Sequence, residues 1–415
     1  MHILFVHQNF PAQFGHIAAH LVKNEGFRCT FLSELPDGIV AGIERIQFRA
    51  QGGATSQTHY CSRTFENQIW KSHALYETLR QRPDIQPDLI VGHSGFVSTL
   101  FLKELYDCPV IQYFEYFYHT RNSDIDFRSD LTSVPPLDLA RVRARNAMPL
   151  LDLLNCDVGY LPTEWQRSRF PAEFQPKLRV IFDGIDTSLW CPQEVRDRRF
   201  GDWTIPENVR LVTYVSRGME SMRGFDIFMK VAKRLCELRN DVVFAVVGED
   251  RVAYGGDLRY TGNKSFKQWV LDQDDYDLTR IRFLGRLSTE DLVRLLNLSH
   301  LHIYLTAPFV LSWSLMNALA CGTTVLASDT PPVREIIHHQ ENGLLNEFFD
   351  CDGFVAQAHS ILDDPQASAS LGRKGSEMIA ERYSLDVCLP RMLNLYREVL
   401  ENHSLGRSSG SSSLC

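Results

Sequence analysis

The sequence predicts an α/β protein with two Rossmann-like domains, each built on a doubly wound parallel sheet. Three observations support this fold class. Short apolar runs alternate with amphipathic helical patterns along the chain, as in successive βα units. The apolar runs are continuous and not alternating, which is typical of parallel strands covered by helices on both faces. A chain of 415 residues also exceeds what one hydrophobic core usually serves, so two domains are expected.

The first half of the chain, residues 1–190, has the patterns of one such domain. Its predicted strands are Ile3–His7, Arg28–Ser33, Arg45–Phe48, Asp88–His93, Val110–Phe114, Val158–Leu161 and Leu178–Phe182. Its predicted helices are Phe14–Lys23, Glu66–Leu79, Val97–Leu105, Leu137–Leu154 and Glu164–Arg169. The polar, turn-rich stretch Asp183–Asp202 is the predicted linker to the second domain.

The second half, residues 191–385, repeats the alternation. Its predicted strands are Leu211–Ser216, Val242–Val247, Arg282–Leu284, Leu301–Leu305, Thr324–Ala327 and Gly343–Asn346. Its predicted helices are Phe225–Leu238, Thr289–Leu298, Ser312–Ala320, Phe354–Leu362 and Ala367–Arg382, and a last helix follows at Val387–Asn402. Ser288 or Thr289 is a suitable N-cap for the helix that begins there.

The charge balance limits the classes of partner. A formal charge of −8 and a pI near 6.0 argue against a nucleic-acid-binding protein, which normally shows a basic face. Within this acidic average, arginines cluster at Arg141, Arg143, Arg145, Arg167 and Arg169. A solvated helix face explains the cluster, and so does contact with phosphate or anionic lipid. The second reading leaves a peripheral membrane contact open.

Cysteine usage and the terminal segments predict a soluble, cytoplasmic protein, with the inner face of the cytoplasmic membrane as the alternative site. The ten cysteines are scattered and form no C-x-x-C pair, which indicates reduced thiols packed as small hydrophobes. The N-terminal MHILFVHQN has no basic region or long apolar core of a signal peptide. No apolar run approaches the ~20 residues of a membrane span. The Ser/Gly-rich tail, residues 404–415, is expected to be disordered.

Motifs at the predicted strand ends limit the classes of ligand and reaction, because doubly wound sheets bind ligands at the carboxyl ends of their strands. Neither a G-x-G-x-x-G fingerprint nor a P-loop follows any predicted strand, which argues against a dehydrogenase or a P-loop NTPase. The first strand ends in a small-residue turn and a helix begins near Gly15. Gly15 would let a ligand approach the backbone amides of the helix start, although an ordinary βα turn has the same pattern.

The clearest candidate lies after strand Leu211–Ser216. Arg217 and Arg223 flank the turn Gly218–Met222. Two guanidinium groups around one turn are costly to place together unless an anion joins them, and arginine binds phosphate oxygens bidentately. A diphosphate is therefore the predicted ligand, and Gly224 would keep the following helix start free of a crowding side chain.

A second candidate is the loop Thr306–Ser314, which leads into helix Ser312–Ala320. Pro308 stiffens this loop, and the backbone amides of Val310, Leu311 and Ser312 at the helix start would suit a phosphate. The signal is weak alone but becomes specific opposite a pair of arginines.

In the first domain, His93 is the last residue of one predicted buried strand and Glu115 follows another. Glu115 lies among aromatic residues in YFEYFYH, and a carboxylate there needs a partner or a raised pKa. It is either structural, for example paired with Arg121, or a polar or catalytic group on the acceptor side.

These residues resemble the retaining family 4 glycosyltransferases of GT-B fold. In the second half the resemblance rests on SRGMESMRGFDIF, VVGED, FLGRLSTEDLVRLL, HIYLT, MNALACGTTVLAS, PPVREII and ENGLL, all in family order. In the first half HQNFPAQFGHIAAHL and PDLIVGHSGFVSTLFLKELY resemble the N-terminal domain of a bacterial subgroup. The resemblance covers nearly the whole chain outside the tail. It implies two Rossmann-like domains facing a cleft, and a C-terminal helix, residues 386–403, that packs back on the first domain.

The resemblance also implies residue roles. It places the nucleotide-sugar donor, of UDP or GDP type, in the second domain and the acceptor mostly in the first. Arg217 matches the diphosphate-binding arginine, and Arg223 stands where many members have lysine. Gly15 matches a loop glycine near the phosphates. Arg286, in FLGRLST, falls in the donor region. Glu115 lies where family members often have a histidine that contacts the donor sugar, so this role is expected of Glu115. His93 is a second catalytic candidate.

The chain departs from the family at two positions. The family's E-x7-E motif has acidic residues at the positions of Phe309 and Asn317. The second Glu typically receives the ribose hydroxyls, and a neutral Asn accepts more weakly, at a cost on the order of 1 kcal/mol in nucleotide affinity. Glu335 matches a further acidic position and is a candidate for compensation.

The resemblance implies transfer of a hexose-type sugar with retention, as in polysaccharide biosynthesis. The acceptor would be a glycan, a lipid-linked sugar or a small molecule. Neither metal nor further cofactor is expected, because arginines and a helix terminus would stabilise the leaving diphosphate. Two alternatives stay open: a noncatalytic binding protein of the same fold, and an epimerase or phosphorylase of that fold.

Overall fold

The chain forms two compact units. The computed structural model describes residues 1–410, with side chains described as far as Leu405. Unit 1 comprises Met1–Thr120, Val134–Gly184 and the chain from Leu385 onward. Unit 2 comprises Arg121–Ser133 and Ile185–Ser384. The sequence-based bounds at 190/191 and 385/386 lie close to two of these junctions, whereas the membership of residues 121–133 in unit 2 had no counterpart in the sequence patterns.

The strands are short and mostly fully buried, as continuous apolar runs require. In chain order they are β1 His2–Val6, β2 Arg28–Ser33, β3 Gly38–Val40, β4 Ile43–Gln47, β5 Leu89–His93, β6 Val110–Tyr113, β7 Val158–Leu161, β8 Leu178–Val180, β9 Arg199–Phe200, β10 Trp203–Thr204, β11 Arg210–Gly218, β12 Val242–Glu249, β13 Ile281–Gly285, β14 Leu301–Tyr304, β15 Val325–Ser328 and β16 Leu344–Asn346.

The helices that cover these strands follow amphipathic segments. In chain order they are α1 Gly15–Asn24, α2 Arg63–Arg80, α3 Asp124–Phe127, α4 Pro136–Ala144, α5 Ala147–Asn155, α6 Glu164–Ser168, α7 Phe225–Leu238, α8 Phe266–Leu271, α9 Thr289–Leu298, α10 Trp313–Ala320, α11 Pro331–Arg334, α12 Cys351–Asp363, α13 Pro365–Arg382 and α14 Leu385–Gly410. The Ser288 hydroxyl caps α9 by accepting from the amide of Asp291, as predicted.

Each unit is built on one large sheet, which confirms the predicted fold class. In unit 1 the order is β3-β4-β2-β1-β5-β6-β7-β8, parallel except for the edge strand β3. In unit 2 the order is β13-β12-β11-β14-β15-β16, all parallel. Both orders reverse direction near the first strand of the unit, so loops after β1 and β5, and after β11 and β14, meet at a topological switch point where such sheets bind ligands.

The C-terminal helix α14 belongs to unit 1. Met392, Leu395, Tyr396 and Val399 on this helix are buried in the same apolar cluster as Phe5 and Phe31 of the sheet. The helix continues to Gly410, so the prediction of disorder from Ser404 is wrong for residues 404–410. The rest of that predicted tail, residues 411–415, lies outside the described residues.

Two predicted helices of unit 1 are wrong, and each is displaced by tertiary hydrogen bonds. Only a 3-10 turn at Leu102–Glu104 occurs within the predicted helix Val97–Leu105, because Ser98 donates its hydroxyl to Asp152 and turns the backbone. The predicted helix Leu137–Leu154 is split into α4 and α5 at Arg145–Asn146. The Asn146 side chain binds both the amide and the carbonyl of Tyr118, at 2.9 and 2.8 Å.

Within residues 1–410, no helix is both long and apolar enough to cross a membrane. The nine cysteines of that part of the chain are free thiols, most of them buried among apolar side chains.

Candidate functional site

A pocket opens at the carboxyl ends of the central strands of unit 2. Its cavity volume is about 320 Å³. The ends of β11, β12 and β13 and the start of α10 form its walls. The lining residues are Val215, Ser216, Arg217, Val247, Gly248, Glu249, Arg251, Arg286, Leu287, Leu292, Ser312, Ser314 and Asn317. The lining combines apolar side chains with cationic and amide groups, a combination that suits a ligand with a flat ring and an anionic end.

The pocket is rich in arginine. Arg251 pairs with Glu249 at 2.7 Å. Arg286 is exposed and, within the described part of the chain, no carboxylate forms an ion pair with it. Arg217 is also exposed, and its Nη1 lies 3.4 Å from the hydroxyl of Tyr254. An anion in this pocket would therefore meet two guanidinium groups, Arg217 and Arg286, that the sequence had marked as candidates.

Asn317 forms part of the pocket floor. It lies on α10 with an exposure of 8%. Among the described residues its side-chain amide has no hydrogen-bond partner, although it is buried and borders the cavity. A buried amide aimed into a pocket is stabilised when a ligand supplies the missing bond.

The loop before α10 offers free amides, but not all those predicted. The backbone N–H groups of Val310 and Leu311 donate to no acceptor in the described chain. The amide of Ser312 is already used, because it donates to the Tyr304 hydroxyl at 2.9 Å. The Ser312 hydroxyl instead caps α10. Of the three predicted phosphate-binding amides, two remain available.

Arg223 occupies a different position from Arg217. It is 4% exposed and does not line the pocket. Its Nη1 donates to the Thr306 hydroxyl at 2.6 Å and to the Val310 carbonyl at 3.3 Å. Arg223 thus secures the loop before α10, which was not anticipated from the sequence. Its Nε and Nη2 atoms form no hydrogen bond with any described residue.

Gly224 is required by packing and by backbone conformation. Its φ is +60°, and an added Cβ would lie 2.6 Å from Leu305 Cβ. The glycine therefore lets α7 begin directly against the strand that leads to the Thr306 loop. The reason predicted for Gly224, an uncrowded ligand site, is replaced by this close packing.

The sequence missed Tyr254 and Glu220 as members of the site region. The Tyr254 ring lies 5.2 Å from the Arg223 guanidinium carbon and 5.6 Å from the Phe309 ring. Glu220 is fully buried and binds the loop that carries Tyr254. The signal that could have drawn attention to Glu220 is an acidic residue between two arginines in one turn.

In unit 1, His93 lies at the end of β5 among other rings. It is fully buried, with ring centroids 4.7 Å from His7 and 4.9 Å from Tyr113. Burial lowers the pKa of His93 well below its usual value and that of His7 to about 4, so both rings are neutral at pH 7. The His93 Nδ1 is 2.7 Å from the Ser94 carbonyl oxygen, which makes Nδ1 the protonated nitrogen.

Glu115 and Gly15 occupy the same edge of the unit 1 sheet. Glu115 follows β6 and its carbonyl accepts from Gln166 at 2.5 Å. Gly15 is the first residue of α1, with φ −58°. A Cβ on Gly15 would meet the Pro11 side chain at 3.0 Å, so the space beside this glycine is filled by proline.

The arginine cluster of unit 1 is stacked on aromatic rings. Arg145 lies 3.7 Å above Tyr118 and donates to its hydroxyl at 2.6 Å. Arg141 lies 4.6 Å above Tyr60. Among the described residues, neither arginine pairs with a carboxylate. These two arginines are therefore more ordered than a solvated helix face, whereas Arg167 pairs with Glu164 at 3.3 Å. An anionic ligand for the cluster stays a prediction.

Comparison with solved structures places this architecture among the GT-B glycosyltransferases. Sucrose-phosphate synthase from Thermosynechococcus elongatus aligns with a TM-score of 0.71 at 17% identity, covering 97% of this chain and all (100%) of that one. HepE of Anabaena, solved with UDP-glucose, aligns with a TM-score of 0.65 at 15% identity, covering 96% of this chain and 100% of the other. At these sequence identities, the structural alignments show similarity of fold alone.

Two protein-family models match the amino-acid sequence. The model described as "Glycosyl transferase family 4 group" matches residues 25–190, and the one described as "Glycosyl transferases group 1" matches residues 195–378. The two matches together span nearly the whole chain. The protein belongs to the family 4 glycosyltransferases of GT-B fold, which confirms the predicted family.

Three curated relatives share 21 to 27% sequence identity with the chain. Phosphatidyl-myo-inositol mannosyltransferase of Mycolicibacterium smegmatis is 27% identical over 224 residues, 53% of this chain and 51% of the relative. N-acetyl-alpha-D-glucosaminyl L-malate synthase of Bacillus anthracis is 22% identical over 230 residues, 55% of this chain and 56% of the relative. The match thus spans about half the length of each. D-inositol 3-phosphate glycosyltransferase of Thermobispora bispora is 21% identical over 352 residues, 81% and 75% of the two chains.

Proposed function

We propose that the chain transfers a hexose-type sugar from a nucleoside-diphosphate sugar to an acceptor hydroxyl. The observation that carries the proposal is the unit 2 pocket, which combines apolar walls, the guanidinium groups of Arg217 and Arg286, and the unpartnered Asn317 amide. The base would lie against the apolar wall, the ribose at Asn317 and the diphosphate at the arginines. The UDP-glucose complex of the HepE neighbour supports a uridine or related donor.

The chemistry assigned to the pocket is stabilisation of the leaving group. In the reaction, the bond between the anomeric carbon and the β-phosphate oxygen breaks, and the acceptor oxygen forms the new bond and loses its proton. The nucleoside diphosphate leaves with both electrons of the broken bond. Arg217 and Arg286 of the pocket would stabilise the developing negative charge. The free amides of Val310 and Leu311 would assist, together with the uncommitted nitrogens of Arg223, which binds that same loop through the Val310 carbonyl.

Two finer features belong to the proposal. Transfer proceeds with retention at the anomeric carbon, as the family resemblance implies, and the arginines rather than a metal ion neutralise the diphosphate. Proton NMR of the first product gives the anomeric configuration; an inverted product would overturn retention. Full activity after chelation with EDTA is expected, and activity that returns only on adding a divalent cation would overturn metal independence.

Unit 1 would carry the acceptor side. The polar group proposed to contact the sugar or the acceptor is the carboxylate of Glu115, which follows β6. The neutral ring of His93 is fully buried at the end of β5 and would position its neighbours. The acceptor classes that fit the relatives are an inositol or lipid-linked sugar, a glycan or another small molecule. The stacked arginines Arg141 and Arg145 would favour an acceptor with an anionic group.

The first experiment is calorimetric titration with UDP, GDP, ADP and dTDP. One nucleotide is expected to bind, and Arg217→Ala should weaken it roughly 30-fold, the loss of a charge-assisted bidentate contact. Arg234→Ala is the control, because Arg234 pairs with Asp352 and does not line the pocket. If no nucleotide binds, the donor assignment is overturned. Binding without sugar transfer to any acceptor would favour the noncatalytic alternative, and phosphate-dependent donor cleavage a phosphorylase.

A further inference from the structure

Glu220 lies in the turn between Arg217 and Arg223 and binds a distant loop. Its side chain is 0% exposed. One carboxylate oxygen, Oε2, accepts from the backbone amides of Ala253 at 3.0 Å, Tyr254 at 2.8 Å and Gly255 at 3.0 Å. Three consecutive amides on a single anionic oxygen fix the path of the backbone there, because hydrogen bonds to a charged acceptor are about twice as strong as neutral ones.

The loop in question comprises residues 250–256, which follow β12. It has two further attachments to the same turn. At its start, the Arg251 carbonyl lies so close to Gly218 that an added Cβ would be 2.4 Å away. Beyond its end, the Asp257 carboxylate accepts from the amide and the hydroxyl of Ser221 at 2.9 and 2.5 Å. The turn that carries the two arginines therefore binds the loop before, within and after Tyr254.

Tyr254 is the residue of this loop that reaches the arginines. Its ring lies 5.2 Å from the guanidinium carbon of Arg223, and its hydroxyl is 3.4 Å from Arg217 Nη1. Its other neighbour is Phe309, at 5.6 Å between ring centroids. Tyr254 is 39% exposed, so its position depends on how firmly its backbone is held and not on burial of the ring.

We propose that Glu220 is a positioning residue of the donor site: by holding the 250–256 loop it keeps Tyr254 against Arg217 and Arg223. The inference rests on the proposed function, since it assigns the arginines to the diphosphate. A guanidinium group over an aromatic ring keeps its charge and its donors while its rotation is restricted. Free Arg and Lys side chains have ~2 kcal/mol of rotamer entropy, so ordering them before the nucleotide arrives raises its affinity.

The charge of Glu220 also has a function in this arrangement. A buried carboxylate is costly unless hydrogen bonds and a nearby cation offset the lost hydration. Three amides satisfy Oε2, whereas Oε1 has no hydrogen-bond partner among the described residues. Burial raises the pKa of Glu220, whereas the amides of Tyr254 and Gly255 and the charge of Arg223 favour the ionised form and oppose that rise. Glu220 therefore interacts electrostatically with one of the arginines that it helps to position.

The test combines hydrogen exchange with nucleotide binding. In Glu220→Ala, the amides of residues 253–255 should exchange faster, and the dissociation constant for UDP should rise about tenfold, the loss expected for one partly desolvated cation–π contact. Tyr254→Ala should weaken UDP to the same extent without changing Glu220. The double variant should be no weaker than either single variant, because both remove the same contact. Glu220→Gln keeps an acceptor for the amides but removes the charge, so its exchange protection and its UDP affinity should lie between those of wild type and Glu220→Ala.

Asp364→Ala is the matched control. Asp364 also accepts two backbone amides, those of Gln366 and Ala367, but at the start of α13, so its loss should leave the UDP affinity unchanged. Faster exchange in Glu220→Ala with unaltered UDP affinity would overturn the proposal, and so would additive losses in the double variant. If Glu220→Ala does not fold, Tyr254→Ala and Glu220→Gln still decide. If wild-type protein binds no nucleotide, the proposed function fails, and the exchange data show separately whether Glu220 holds the loop.

Discussion

Arg128 and Asp226 form a buried ion pair between segments 98 residues apart in the chain. Arg128 Nη1 lies 3.0 Å from Asp226 Oδ1 and Nη2 lies 2.6 Å from Oδ2. The same guanidinium donates to the Ser221 carbonyl at 2.7 Å. Residues 121–133 are thereby attached to unit 2 beside the turn that carries Arg217 and Arg223, although the chain on either side of them belongs to unit 1.

The first prediction is that Arg128→Met destabilises unit 2 strongly. Arg128 and Asp226 are 6% and 4% exposed, so removing the cation leaves a buried carboxylate uncompensated. The expected loss is about 3–5 kcal/mol in the free energy of unfolding, measured by urea denaturation. Met keeps the stem of Arg128 against Phe348 and Phe349, which lie 5.4 and 5.8 Å from the guanidinium carbon.

The control for this pair is Arg80→Met. Arg80 pairs with Glu77 in an exposed position of α2, where the loss should be barely measurable. The double variant Arg128→Met with Asp226→Leu should recover part of the stability, because it leaves no charge buried. A small effect of Arg128→Met alone would mean that water reaches Asp226 and that the pair does not hold the segment.

The second prediction concerns pH and Asp152 in unit 1. Burial raises the pKa of Asp152 to about 7, although hydroxyl groups of Ser98 and Ser94 donate to it and lower the pKa. The pKa in the unfolded chain is about 3.9. Because the folded pKa is the higher one, this group stabilises the fold fully below pH ~4, and the contribution is lost as the pH rises through about 7.

Asp152→Asn removes this titration and keeps an acceptor for the two serines. Between pH 4 and 8 the variant should therefore gain stability relative to wild type, on the order of 4 kcal/mol. Urea denaturation of both proteins across that range measures the difference in their free energies of unfolding. The contributions of the other titrating groups cancel in this difference. A difference that stays constant with pH would contradict the raised pKa.

Local signals in the sequence were sufficient for most of the elements that form the sheets and their covering helices. Helices α7 and α9 begin and end where predicted, because the apolar spacing of both and the serine cap of α9 are properties of the segments themselves. The break between α4 and α5 could not be predicted. It depends on Asn146 reaching Tyr118, a contact 28 residues away in sequence.

The residues that line the pocket could be selected from the sequence only in part, for a similar reason. Arg217, Arg286, Ser312 and Asn317 meet in one pocket, as motif order suggested. Arg223 has the same side chain as Arg217 and a similar sequence setting, yet it is buried against Thr306. The 250–256 loop has no apolar periodicity of its own, and its path is set by the Glu220 carboxylate. Long-range polar contacts of this kind leave no periodic pattern in a sequence.

The third prediction tests whether the 250–256 loop affects nucleotide binding, through a substitution that displaces the start of the loop. In Gly218→Ala the new Cβ would lie 2.4 Å from the Arg251 carbonyl oxygen, a backbone atom, so the 250–256 loop must move. UDP should then bind less tightly, by about as much as in Glu220→Ala, and calorimetry measures the change. Gly38→Ala is the control, because its Cβ would meet only the end of the Arg45 side chain, at 3.4 Å. Unchanged UDP affinity would show that the arginines do not depend on the loop.

The fourth prediction concerns the pocket floor. Asn317 is a buried neutral amide at the position proposed for the ribose. In Asn317→Glu a carboxylate could accept from both ribose hydroxyls, and each such bond would be charge-assisted. Arg217 and Arg286 in the same pocket would offset the added negative charge. UDP should therefore bind more tightly, by about 1 kcal/mol or roughly fivefold.

The matched ligand for this prediction is 2′-deoxy-UDP, which lacks one of the two hydroxyls. If Asn317 faces the ribose, the gain from Asn317→Glu should be smaller for the deoxy nucleotide, since only one charge-assisted bond can form. Asn317→Leu should weaken UDP and erase the preference for the ribonucleotide. Equal gains for UDP and 2′-deoxy-UDP would mean that the new carboxylate acts at a distance through its charge, and the ribose would then have to lie elsewhere in the pocket.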